Sequence, residues 1–127
     1  MKKMLLLLLV IPQLAFIQPP NMTGISQALR SGNADALGAY FSSSVEITVL
    51  ETEDRYNKAD AIKVVQGFFQ KYQPKTFSEV HKGVSKGGHL HYCIGEMQTS
   101  SKTFRVYLLM EDGPNSYMIQ QLRIDEE

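Results

Sequence analysis

The segment "NKADAIKVVQGFFQKY", residues 57–72, constrains the fold more than any other stretch of the chain. Ala61, Val64, Val65, Phe68, Phe69 and Tyr72 recur at helical spacing and make a broad apolar stripe. Asn57, with Asp60 three residues on, resembles a capping box at the start, and Pro74 stops the helix. Such a stripe needs an apolar partner, and the rest of the chain offers strands.

Before the helix, "SVEITVLE" alternates Val45, Ile47 and Val49 against Glu46 and Thr48, the period of a half-buried strand. "TEDR" is turn-like, with a short strand around Arg55 and Tyr56. After the helix come "TFSEVHK", "HLHYCIGEMQT", "KTFRVYLLM" and "SYMIQQLRI", separated by "GVSKGG", Ser100-Ser101 and "EDGPN". These hairpin spacings predict an antiparallel sheet. Upstream, "TGISQALRSGNADALGAYF" reads as two short helices, with Gly32 ending the first and Asn33 capping the second.

The last two strands are apolar on both faces: Phe104, Val106, Leu108 and Met110 against Tyr107 and Leu109, then Tyr117 and Ile119 against Met118, Leu122 and Ile124. One face packs on the helices. The other is expected to be a self-association surface built from Tyr107 and Leu109 with Met118, Leu122 and Ile124, because large exposed apolar patches usually mark interfaces.

The first 20 residues, "MKKMLLLLLVIPQLAFIQPP", place two lysines before a short apolar run, the pattern of a secretory signal peptide. The run is short of the roughly 20 apolar residues that a membrane span needs. The expectation is therefore a signal peptide over 1–20, one domain over 21–127, export to the periplasm or medium, and no integral span after cleavage. Loss of Lys2 and Lys3 with the leader leaves the remainder slightly acidic. A single cysteine, Cys93, excludes a disulfide framework within one chain. No basic run or RNA-binding aromatic signature is present, so nucleic acid is not an expected partner. "NMT" at 21–23 matches the glycosylation pattern, a short motif common by chance.

"HLHYC" at 89–93 raises metal chemistry, since His89, His91 and Cys93 share one face of a regular strand. Same-face neighbours stand roughly 6.5–7 Å apart, against metal bonds of about 2.0–2.3 Å. His89 and His91 could converge on an ion with a third ligand such as His81, but Cys93 lies too far from His89 to join them. The expectation is polar histidines on the wetter face, a buried thiol, and neither metal nor cofactor. A nucleophilic Cys93 would need a lowered pKa, and a mid-strand thiol lacks a helix dipole to supply it.

The order of elements, with "SSSVEITV" at 42–49, "NKADAIKVVQGFFQKYQPKTFSEVHKG" at 57–83 and "KTFRVYLLMEDGPNSYMIQQLRID" at 102–125, resembles the nuclear transport factor 2-like, or cystatin-like, fold. More specifically it resembles small exported bacterial proteins of that fold grouped as a domain of unknown function. The resemblance implies an α+β cone: a strongly curved antiparallel sheet, barrel-like, wrapped around the long helix, with two short N-terminal helices. It also implies a cavity at the open end, for which Tyr40, Phe68, Phe69, Tyr72, Tyr92 and Tyr107 are the candidate lining residues.

Members of the superfamily include isomerases, dehydratases and hydrolases as well as binding modules, so the fold alone warrants no activity. An isomerase-like site would draw on Tyr40, Tyr56, Tyr92, Tyr107 and Glu96, but no acid–base set aligns residue by residue. Glu79 and Glu96 are expected to face solvent. The expected role is a non-catalytic binding or interaction module, a homodimer through its sheet, with a cavity for a small apolar ligand; the alternative is a small cavity enzyme of isomerase or dehydratase type.

Overall fold

The protein is described from a computed structural model covering residues 21–127. The expected leader lies outside the described residues. Two short helices come first, α1 (Thr23–Ser31) and α2 (Ala34–Gly38). A hairpin follows, β1 (Phe41–Val49) and β2 (Thr52–Asn57), then α3 (Lys58–Lys71). Four strands close the order: β3 (Pro74–Val84), β4 (Leu90–Thr99), β5 (Thr103–Asp112) and β6 (Tyr117–Glu126). Among the described residues no helix is long and apolar enough to cross a membrane.

The helix boundaries follow the sequence chemistry. Gly32 takes φ +65 and its N–H reaches Ala28 and Leu29 carbonyls, a left-handed end that glycine adopts without Cβ strain. The Asn33 side chain accepts from the Ala36 N–H and starts α2. The Asn57 side chain accepts from the Asp60 N–H at 2.8 Å and donates to its carboxylate at 3.2 Å, so the N-cap half of the capping box forms while Asp60 meets the Asn57 side chain rather than its backbone N–H.

The six strands form one sheet in the order β2-β1-β6-β5-β4-β3. The sheet is mixed, which corrects the antiparallel expectation: β1 runs parallel to β6 while every other neighbour is antiparallel. Period-2 patterning reports a strand's faces and says nothing of its direction. The sheet is also open rather than a barrel, with β2 and β3 at its edges. α3 lies on β1 and β2, whereas α1 lies on β3. The two edges thus sit under different helices.

One core joins the helices to the inner sheet face. Ala61, Val65, Phe68 and Phe69 of α3 and Ile25, Ala28 and Leu29 of α1 are buried there. Phe104, Val106, Leu108 and Met110 of β5 face them. Each large side chain removed from water contributes about 1.5–3 kcal/mol.

β6 resolves the two-faced pattern in an unexpected way. Leu109 pairs with Gln121 but Met110 pairs with Ile119, so Gln120 is an extra residue in the ladder. This β-bulge resets the alternation. Ile119, Leu122 and Ile124 all point into the core and are fully buried. Leu122 and Ile124 therefore do not belong to the outer surface, a correction to the sequence reading. Tyr107, Leu109 and Met118 are only partly buried, on the face that no helix covers.

Candidate functional site

The strand carrying "HLHYC" begins at Leu90, so His89 lies in the preceding turn and is exposed. His91 and Cys93 point to the inner face, in register with Met110 and Leu108 of β5. His91 is thus not a wet-face residue: its side chain is 19% exposed. Its ring lies 4.8 Å from that of Tyr117, and Nε2 is buried 3.0 Å from Oδ1 of Asp112 without alignment for a hydrogen bond. His81 pairs with Ile94, whose side chain faces outward, so it cannot complete a set with His91. Among the described residues no group of three or more His, Cys, Asp or Glu is placed to hold a metal ion.

Cys93 is fully buried. Burial first, and then the Glu79 carboxylate, pushes its thiol up from 9.0 to about 11, while Lys82 opposes them weakly. At neutral pH it is a thiol, unsuited to nucleophilic work. Lys82, in register with Cys93 on β3, holds Glu79 at 3.1 Å, and that contact raises the lysine's own pKa.

Beside these groups is a cavity of about 250 Å³. His91, Cys93, Met110, Tyr117 and Tyr92 line it, with Met22 from the N-terminal end of α1. Gly83 and Val84 complete its apolar and sulfur-bearing part, and its polar groups are the His91 imidazole, the Tyr92 and Tyr117 phenols and the Lys82 side chain.

The six aromatic candidates do not share this space. Phe68 and Tyr72 pack on Phe104 at centroid distances of 5.1 and 4.9 Å, and Phe69 lies 6.0 Å from Phe68. Phe69 also borders a polar cleft between α3 and the α1–α2 turn. The Tyr40 hydroxyl lies against Gly24. The Tyr92 ring covers Gly83 across the β3–β4 ladder and reaches the cavity wall, and Tyr107 is on the outer face. Glu96 is opposite Arg105 on the outer face, away from every aromatic of the core.

Sequence reasoning missed Asp112, Met110, Met22 and Tyr117 as neighbours of His91. Asp112 and Tyr117 are partners across the "GPNS" turn. Hairpin register was the available signal for them. Met22 arrives only through tertiary packing of α1.

The pattern of the family described as "Domain of unknown function (DUF4783)" matches residues 22–125. The crystal structure of a DUF4783 family protein from Bacteroides ovatus is 25% identical, with a TM-score of 0.78 over 87% of this chain and 98% of that one. A domain of unknown function with a cystatin-like fold from Nostoc punctiforme is 14% identical, with a TM-score of 0.64 over 83% and 72%. A designed protein whose name carries the abbreviation of nuclear transport factor 2 is 13% identical, with a TM-score of 0.61 over 81% and 91%. No curated protein matches the chain. The nuclear transport factor 2-like, cystatin-like resemblance expected from the sequence is borne out.

Proposed function

We infer that this protein, which belongs to the DUF4783 family, is an exported, non-catalytic interaction module that pairs with a second copy of itself through the outer face of its sheet. The observation that carries this reading is the apolar surface on β4, β5 and β6. Tyr92 stands opposite Leu109, Ile94 opposite Tyr107, and Met118 follows on β6, with no helix over them. Tyr92 is 38% exposed. The rim mixes signs, with Glu96 opposite Arg105 and Arg123 beside Asp125. A mixed rim suits a two-fold contact, in which each charge can meet its opposite on the other copy. Register shifts in β1, β3 and β6 support the strongly curved, cone-like sheet of the family, since bulges bend strands.

Sedimentation equilibrium of the exported protein at high micromolar concentration should give a dimer, and Leu109→Glu should give a monomer with unchanged circular dichroism. A wild-type monomer at that concentration removes the pairing reading. Export is tested by intact mass: cleavage between about residues 15 and 22 is expected, and Met1 retained in a membrane fraction would make the leader an anchor.

The cavity beside His91 supplies the small apolar space that such a module offers a ligand. A second reading, a small enzyme of isomerase or dehydratase type, draws on the His91–Asp112 contact at that cavity. It lacks a carboxylate placed to move a substrate proton among the aromatics of the core.

A further inference from the structure

We propose that the cleft between α3 and the α1–α2 turn binds a neutral saccharide, a mono- or disaccharide unit held through its hydroxyl groups. This goes beyond the pairing reading and lies on the helices, away from the outer sheet face, so either can fail alone.

The cleft has a volume of about 560 Å³, within the roughly 300–1,000 Å³ of ordinary ligand sites. α3 forms one wall. Gln66 and Gln70 are one turn apart on it and share a face, and Gln73 follows just past the helix end. The α1–α2 turn forms the other wall, with Ser31, Asn33 and Asp35. Gly32 ties the turn to the start of β3, since a Cβ on it would stand 2.8 Å from the Pro74 ring. Phe69, buried in the core, lies at the base. Both walls rest on packed elements, so little of the cleft has to be ordered by its ligand.

The side chains choose the ligand. Four carboxamides, one carboxylate and one hydroxyl line the cleft, and no lysine, arginine or histidine does. Lys71, next to Gln70 in sequence, holds its ammonium 5.4 Å from the Tyr72 ring centroid instead. An anion would meet Asp35 with no cation to offset it. A hard cation would find one carboxylate where such sites use several. An apolar molecule would strip water from the walls and return no hydrogen bonds.

A polyol answers each group. A hydroxyl donates and accepts at once, a carboxamide offers both functions, and a carboxylate accepts. The Ser31 hydroxyl donates to the Gln27 carbonyl at 2.8 Å, which leaves its oxygen as an acceptor. The Asn33 oxygen takes the Ala36 N–H, which leaves its amide nitrogen as a donor. The three glutamine carboxamides and the Asp35 carboxylate are exposed to whatever enters. A bound peptide would also offer donors and acceptors, but peptide recognition relies on pockets for alternate side chains. Here the apolar lining residues Phe69 and Ala34 are themselves buried.

The test is an NMR titration of the isotope-labelled mature protein. The probes are the methyl glycosides of glucose, galactose, mannose and N-acetylglucosamine, with maltose, cellobiose and lactose. The side-chain amide signals of Gln66, Gln70, Gln73 and Asn33 report on the cleft directly. At least one neutral sugar should move them saturably, and glucuronate should bind more weakly than glucose because it faces Asp35. Gln66→Ala/Gln70→Ala should weaken that binding at least tenfold with unchanged circular dichroism, since alanine suits exposed helical positions. Asp35→Asn should remove the preference for the uncharged sugar. The proposal is overturned if no sugar of the panel moves these signals into the tens of millimolar, or if the binding survives the alanine pair. It is also overturned if N-acetyl-trialanine amide moves the signals as well as the best sugar does, which would make the cleft a peptide site.

Discussion

The inner face of β4 and β5 has two ends built on one alternating pattern, and they behave differently. At one end Met97 pairs with Phe104, and Phe68 of α3 and Tyr72 just past its end pack edge to face on the Phe104 ring. At the other end His91 pairs with Met110, Cys93 lies between, and the cover is Met22 with Tyr117. The first end is packed aromatic against aromatic. The second keeps a cavity of about 250 Å³ walled by polarisable side chains. The strands specify an apolar face along their whole length; the element placed on that face decides whether it becomes core or site.

The largest effect should come from breaking the closed end. Phe68→Ala removes a ring that contacts Phe69, Tyr72 and Phe104. A loss of about 3–5 kcal/mol is expected, the usual range for a buried Phe. Urea unfolding measures it. A loss under about 1 kcal/mol would mean that the aromatic end is open as well, and the contrast between the ends would vanish.

The cavity end should show itself in alkaline solution. In the folded protein Cys93 keeps its proton to about 11, against an ordinary value of 9.0. Between those values unfolding releases a proton, so raising the pH favours the unfolded chain. The thiol's contribution is complete below about 9 and is lost as pH rises through 11. Two pH units correspond to about 2–3 kcal/mol. The stability difference between wild type and Cys93→Ala, followed from pH 8 to 11, isolates this group from the rest of the molecule. A flat difference would show that water reaches the thiol. Thiol reagents at neutral pH should likewise be slow until the protein unfolds.

The closed end was more legible in the sequence than the cavity end, and the reason is range. Gly32, Asn33 and Asn57 announce helix ends through contacts within a few residues. The stripe from Ala61 to Tyr72 announces its own burial. The parallel pairing of β1 with β6 joins segments some 75 residues apart and leaves no local mark. The Gln120 bulge is invisible to a period-2 reading, which is why Leu122 and Ile124 were assigned to the wrong face. The His91 site needs β4, β5, β6 and the start of α1 together, so only the motif "HLHYC" could be seen, without its neighbours.

A smaller loss should follow from loosening the helix that closes the aromatic end. Asn57→Ala removes the side-chain oxygen that accepts the Asp60 N–H. About 1 kcal/mol is the usual magnitude for such a cap. Most of it should appear as earlier hydrogen exchange in the first turn of α3. Equal acceleration at the Phe104 end would mean that α3 loosens as one unit.

The smallest effect sharpens the contrast most. Met110→Leu exchanges side chains of similar volume at the cavity end, where Met110 is 1% exposed. In a tightly interlocked core even this exchange forces neighbours to shift, with penalties up to about 1.5 kcal/mol. Beside the cavity the branched side chain has room to settle, so about 0.5 kcal/mol is expected in urea unfolding. Met97→Leu, opposite Phe104 and fully buried, is the matched control and should lose more. A Met110→Leu penalty equal to that of Met97→Leu would mean that both ends are packed alike. Methionine at position 110 would then be there for its shape. If the penalty is small, as expected, the cavity end tolerates a change of side-chain shape that the aromatic end does not.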